Sequence, residues 1–195
     1  KLDHTHPYLA EREVSKQLVS EFGLGVAKKG SMMGRLCFPI HNEAGELIGY
    51  SGRWVDEDKP KDTPRYKLPK GFVKAQVLFN LNRVLAKREE GPATTTVVIV
   101  EGVWSVLRLH AAGIPVVASF GDSLSEAQVD LLVQAGITSA VLISYGDEAG
   151  RKGSEFALPV LASRLFVKTV PLEDGIKPDT MGADILASLP RYVRS

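Results

Sequence analysis

Residues 96–113 read TVVIVEGVWSVLRLHAAG. Every residue from Thr96 to Val100 is β-branched, the composition of a short strand buried on both faces. Glu101 and Gly102 interrupt it, and apolar residues at helical spacing then run to Gly113, a residue type that ends helices. A second β-branched run follows at once in PVVASF (115–120), so strand, helix and strand form a parallel pair with a right-handed crossover. The alternation continues through a helix in SLSEAQVDLLVQAG (123–136), a strand in SAVLISY (139–145), a helix in DEAGRKGSEFALPVLAS (147–163) and a strand in RLFVKTVPL (164–172). PDTMGADILASL (178–189) closes the series, with Pro178 ahead of its first turn. Ser123 or Ser125 caps the helix of 123–136, Glu126 lying three residues after Ser123 in capping-box spacing. Pro159 is expected to kink the helix around it. Residues 92–195 therefore read as an α/β domain, Rossmann-like, with a parallel sheet of about four strands and flanking helices.

The preceding residues have a different grain. Residues 9–22 (LAEREVSKQLVSEF) carry a helical apolar pattern stopped by Gly23 and Gly25. GRLCFPIHN (34–42) and LIGYSGRWV (47–55), joined by AGE (44–46), predict a hairpin. Residues 56–71, DEDKPKDTPRYKLPKG, hold three prolines and many charges and predict an irregular arm. KAQVLFNLNRVLAKREE runs into a helix, and EEGPATTT is the expected joint. The chain thus divides into a smaller α+β subdomain, 1–91, and the α/β domain, 92–195.

A chain of 195 residues with 44% hydrophobic and 24% charged residues can bury a core of ordinary size. No apolar run approaches the roughly 20 residues that a membrane span needs, so no membrane partner is expected. One cysteine, Cys37, excludes an internal disulfide and a cysteine-rich zinc module among these residues, and fits a cytoplasmic setting. The net charge of +1 is unevenly spread: residues 1–91 hold 16 Lys and Arg against 12 Asp and Glu, and residues 92–195 hold 8 against 11. A basic half suits a polyanion, an acidic half suits cations.

In open parallel sheets ligands bind at the carboxyl ends of the strands. Acidic residues fall at three such ends: Glu101; Asp147 with Glu148; and Glu173, Asp174 and Asp179. One acid at a helix start merely complements the helix dipole. Three sets at one edge repel each other, and a hard cation such as magnesium is the usual compensation. Metal held by carboxylates and phosphate oxygens is a common arrangement for nucleotidyl transfer. Between Lys28 and Lys74, cations alternate with Tyr50, Trp54, Tyr66 and Phe72, a mixture suited to single-stranded nucleic acid. His4 and His6 have no nearby ligand partner, and Met32, Met33 and Trp104 read as packing residues. No G-x-G-x-x-G or P-loop pattern occurs.

The stretches VVIVEGVWSVLRLHAAGIPVVASFGDSLSEAQ, VLISYGDEAGRKG and VPLEDGIKPDTM resemble the three signature segments of the Toprim domain in DnaG-type DNA primases: strand-E-G-x-x-D, strand-D-x-D-x-A-G-R and an acidic D-P-D-like turn. HPYLAERE, FGLG, GRLCFPIHNEAGELIGYSGR and RYKLPKG…VLFNL resemble the amino-terminal half of the same catalytic core. The resemblance covers nearly the whole chain. It implies RNA primer synthesis on single-stranded DNA from ribonucleoside triphosphates seated between the halves, with Mg2+ (or Mn2+) held by Glu101, Asp147 and Asp179 and with Glu148 as a further ligand. It also implies that Arg35, Arg53, Lys67 and Lys74 grip template backbone and nucleotide phosphates. A helicase and a zinc-binding module outside this chain are the further partners implied, and the chain is expected to be a fragment or a reduced form.

The sequence departs from this pattern at three acids. Ser105 stands where E-G-x-x-D has its Asp, Tyr145 replaces the first Asp of D-x-D, and Lys177 replaces the first acid of the last turn. Each loss weakens the attraction for a divalent ion, and Lys177 opposes it. Glu148, Glu173, Asp174 and Asp122 are the available substitutes. The alternative function is a degenerate Toprim module that binds nucleic acid without catalysis.

Overall fold

The computed structural model describes residues 1–56, 58, 60–89, 95–121 and 123–193. The chain forms two compact units, one of Lys1–His41 with Glu46–Phe72 and the other of Asn42–Gly45 with Val73–Ser195. The units divide earlier than the expected joint at residue 91, part of which lies outside the described residues. Leu78, Leu81 and Val84 explain the shift, because they are buried in one core with Val97, Ile99 and Val117.

The first unit is built on an antiparallel sheet in simple order, β1 (Leu2–Asp3), β2 (Gly25–Ala27), β3 (Arg35–His41), β4 (Leu47–Trp54) and β5 (Tyr66–Lys67). The β3–β4 hairpin is the one expected, and its loop turns at Gly45 with φ 82°. The single helix expected over 9–22 is two: α1 (Pro7–Glu11) and α2 (Lys16–Phe22). Glu13, at φ 54°, breaks the run, and Ser15 starts the second helix by accepting from the Leu18 N–H at 3.2 Å. Phe22, Leu24, Leu36, Phe38 and Ile40 are at most 1% exposed and form this unit's core.

The second unit carries four parallel strands, β6 (Thr96–Val100), β7 (Val116–Ala118), β8 (Ser139–Leu142) and β9 (Phe166–Thr169), in spatial order β7-β6-β8-β9. A 3-10 turn at Lys74–Gln76 and helix α3 (Leu81–Glu89) precede the sheet. Between and after the strands come α4 (Val103–Ala111), α5 (Glu126–Gln134), α6 (Glu148–Ala162) and α7 (Ala183–Val193). The all-β-branched run of β6 is wholly buried, as its composition requires. A capping box opens α5, but Ser125 pairs with Gln128 rather than Ser123 with Glu126. The last helix begins five residues later than Pro178, since Lys177–Thr180 closes a separate turn in which the Thr180 N–H donates to the Lys177 carbonyl at 2.9 Å. No described helix is long and apolar enough to cross a membrane.

Strand order decides where this unit can bind. The chain passes from β6 to β7 on one side and then crosses to β8 on the other. Loops leaving β6 and β8 therefore diverge, opening a crevice at their carboxyl ends, the topological switch point at which open α/β sheets bind ligands.

Candidate functional site

Glu101 leaves β6 at this crevice and Tyr145–Asp147 leave β8 on its other side. The two stretches meet directly: the Tyr145 N–H donates to Glu101 Oε1 at 3.3 Å. Glu101 is half-buried, so its charge is only partly screened by water. Asp147 is exposed and serves as N-cap of α6, its Oδ1 accepting from the Gly150 N–H at 2.8 Å. Two glycines make the close chain approach possible. A Cβ on Gly146 would lie 1.8 Å from the Glu173 carbonyl oxygen, and one on Gly150 would lie 2.3 Å from the Tyr145 carbonyl oxygen.

The third acidic stretch is pinned to the same strand end. Gly146 donates its N–H to the Ile176 carbonyl at 2.8 Å, and Gly175 donates to the Gly146 carbonyl at 2.7 Å. Arg108 on α4 donates to the Met181 carbonyl at 3.1 Å. Asp179 thus lies in a stretch tied to the β8 end through Ile176 and to α4 through Met181. The substitutes suggested by sequence are partly committed elsewhere: Asp174 pairs with Arg151 and Glu148 with Lys152, each at 2.7 Å. Asp122 lies outside the described residues.

The three departures have distinct environments. Ser105 is fully buried on α4, and its Oγ has no hydrogen-bond partner among the described residues. Tyr145 packs its hydroxyl toward Gly102, where a Cβ would stand 3.0 Å away. Lys177 holds its ammonium 4.9 Å from the centre of the Tyr145 ring, a cation–π contact that the sequence did not foretell. Among the described residues no group of three or more His, Cys, Asp and Glu side chains is placed to hold a metal ion. The described residues therefore do not fit a resident divalent ion of the expected kind: Glu101, Asp147 and Asp179 form no such group, and Ser105, Tyr145 and Lys177 bring a hydroxyl, a phenol and an ammonium where the primase-like pattern has acids.

The four expected phosphate-binding cations fall in different settings. Arg35, in the first unit and expected to grip template or nucleotide phosphates, is 3% exposed, with its guanidinium turned to backbone carbonyls. Its guanidinium donates to the carbonyls of Gly52, Arg65 and Pro64 at 3.2, 3.1 and 2.9 Å and lies 5.3 Å from the Trp54 ring centre. Burial lowers its pKa from the ordinary guanidinium value. Arg35 thus pins the irregular arm to the hairpin. Arg53, also in the first unit, is half-buried between Tyr8 and Tyr66, with ring centres 5.6 and 5.9 Å from its guanidinium carbon, and it donates to the Tyr8 hydroxyl. Tyr66 is 46% exposed. Tyr8 escaped the sequence reading because it lies far from Arg53 in the chain; only its place in HPYLAERE hinted at it. Lys67 donates to the Ser31 carbonyl at 2.8 Å. Lys74 belongs to the second unit, where it reaches the loop after β7 and donates to the Phe120 carbonyl at 3.4 Å. Phe120 itself holds φ at 62°, so this loop is sharply turned at the sheet's carboxyl edge.

A sequence profile for the DNA primase catalytic core, N-terminal domain, matches residues 31–85. The chain is 33% identical over 163 residues to a DNA primase of Synechococcus elongatus, covering 77% of this chain and 22% of that protein. It is 38% identical over 149 residues to a DNA primase of Aquifex aeolicus, covering 74% and 29%. It spans between 22% and 37% of the length of the curated relatives it matches here. The crystal structure of the Aquifex aeolicus primase zinc-binding and RNA polymerase domains superposes with a TM-score of 0.81 at 26% identity, covering 96% of this chain and 54% of that one. The DnaG catalytic core has the same fold, with a TM-score of 0.78 at 23% identity over 96% of this chain and 72% of that one. So has a DnaG primase catalytic domain bound to single-stranded DNA, with a TM-score of 0.78 at 24% identity over 97% and 71%. With a four-stranded parallel sheet of the Toprim kind following an antiparallel unit, and with primases among both its sequence relatives and its structural neighbours, the chain belongs to the DnaG-type DNA primase catalytic core family.

Proposed function

We propose that this chain forms the core of a nucleotidyltransferase that joins ribonucleotides into an RNA primer on single-stranded DNA. The observation that carries this reading is the β6–β8 crevice, where Glu101 and the Tyr145–Asp147 stretch are hydrogen-bonded across a topological switch point. A crevice so placed suits a nucleotide. The primases among the sequence relatives favour synthesis over a module that only binds.

In this reading Arg53 and Lys67 attract the template backbone, and the exposed Tyr66 offers a face on which a base can stack. Lys74, at the loop after β7, faces the phosphates of the incoming ribonucleoside triphosphate. Glu101 orients the primer 3′-hydroxyl by accepting its hydrogen bond, and Asp147 holds the start of α6 in register with it. Magnesium, or manganese in its place, would supply charge neutralisation to the transferring phosphoryl group only if it came bound to the triphosphate, because the described residues form no ligand set of their own for it. One structural relative contains zinc-binding and RNA polymerase domains together. A zinc-binding module and a helicase are the partners this chain would use, in the cytoplasm.

Incorporation of labelled ribonucleotides on a single-stranded template tests the reading. Short, template-dependent RNA that disappears with Glu101→Gln is the expected product. A chain that binds template and retains its native circular dichroism, yet makes no such RNA with magnesium or manganese present, would refute it.

A further inference from the structure

The acidic edge carries a feature that the proposed function does not use. Lys177 sits in the turn that Gly146 and Gly175 clamp to the end of β8, and its ammonium lies on the face of Tyr145. Among the described residues that ammonium makes no ion pair or hydrogen bond. The acids around it are largely occupied: Asp174 by Arg151, Glu148 by Lys152, Asp147 by the Gly150 N–H, and Glu101 by at least the Tyr145 N–H. Glu173 and Asp179 flank Lys177 in the same turn.

We infer that Lys177, seated on Tyr145, is a built-in cation that neutralises this edge in place of a resident divalent ion, and so determines how the site takes metal. Carboxylates along one sheet edge repel one another even where they do not converge into a ligand set, and a nearby cation offsets that repulsion. A fixed ammonium supplies one positive charge there permanently, and the same charge repels an incoming divalent ion. The aromatic face adds an attraction that holds the ammonium in place. Tyr145 and Lys177 thus act as a pair, and neither alone reproduces the effect. A divalent ion at this edge would need phosphate oxygens to supply the negative charge that these residues withhold. The inference deepens the proposed function and borrows its substrate from it, but its test does not depend on synthesis.

Manganese binding to the free protein, followed by electron paramagnetic resonance without nucleotide, reads the effect directly. Wild type is expected to bind no manganese at this edge at millimolar levels, and its melting temperature should be the same in magnesium chloride as in sodium chloride of equal ionic strength. Lys177→Gln removes the ammonium and should raise manganese affinity about tenfold, the effect of one unit charge on a divalent ion a few ångströms away. Tyr145→Asp with Lys177→Asp should produce a single manganese site that is lost again on adding Glu101→Gln. Lys87→Gln, an exposed change on α3, serves as control and should leave manganese affinity at the wild-type value. Tight one-to-one manganese binding by wild type that Glu101→Gln abolishes would overturn the inference. So would wild-type affinity in Lys177→Gln, even if the double variant fails to fold. Absence of primer synthesis with these manganese results intact would count against the proposed function and leave this inference standing.

Discussion

Arg35 and Arg53 sit one register apart on the same hairpin, Arg35 opposite Trp54 and Arg53 opposite Leu36. As letters in a basic half they are equivalent; in the structure they are opposites. Arg35 is enclosed because three carbonyls from Gly52, Pro64 and Arg65 converge on its fork. That convergence depends on the path of the arm over 56–71, which no periodicity reveals. Arg35→Met should therefore destabilise the protein by about 2–3 kcal/mol, the order expected when several hydrogen bonds to a charged group are removed. Urea denaturation measures this, and the salt dependence of template binding should stay as in wild type. Lys67→Ala should do the reverse, with stability nearly unchanged, whereas Arg53→Ala should cost about 1 kcal/mol through its lost contacts with Tyr8 and Tyr66; in both, single-strand affinity should fall and the slope of log affinity against log salt should drop by about 0.7 for each phosphate no longer neutralised. Fluorescence anisotropy across a salt series distinguishes the two patterns. Cys37, on the same strand as Arg35, is 1% exposed, and burial pushes its thiol up to about 11. It should resist a thiol-specific disulfide reagent at pH 8 in the native protein and react at once on unfolding.

At the scale of the element, the strands were readable and the helix boundaries less so. A run such as TVVIV admits one reading, because β-branched residues buried on both faces suit a central parallel strand. The break between α1 and α2 was hidden because the apolar pattern continues through it, and only the left-handed Glu13 and the Ser15 cap stop the helix. The late start of α7 arises in the same way from a local turn, closed by Thr180, that outcompetes a helix start at Pro178. Acids at strand ends were legible as candidates since strand–helix alternation fixes which edge they reach. Their partners were not, because the contact of Lys177 with Tyr145 joins residues on separate loops. Asp147 has two roles that can be separated. Asp147→Ala removes the N-cap of α6 and should cost about 1 kcal/mol, whereas Asp147→Asn keeps the cap and should cost a few tenths at most. Thermal melts read that difference. Ribonucleotide incorporation should fall in Asp147→Ala and stay near the wild-type level in Asp147→Asn, since Asp147 positions α6; an equal fall in both would show that its charge is needed at the crevice.

For the molecule as a whole, topology carries more than composition. Charge counts over 1–91 and 92–195 suggested a basic and an acidic half, but the compact units divide after Phe72, and Lys74 belongs with the parallel sheet. What survives that shift is the strand order β7-β6-β8-β9, whose reversal between β6 and β8 opens the crevice beside Glu101. The family pattern of acids is reduced at Ser105, Tyr145 and Lys177, and in the proposed function any divalent ion is therefore held largely by the triphosphate. Anomalous diffraction from crystals soaked with manganese and a non-hydrolysable ribonucleoside triphosphate measures this most directly. The account predicts one manganese peak on the triphosphate beside Glu101, at the carboxyl ends of β6 and β8. Nucleotide and manganese bound together anywhere else on the molecule would contradict it.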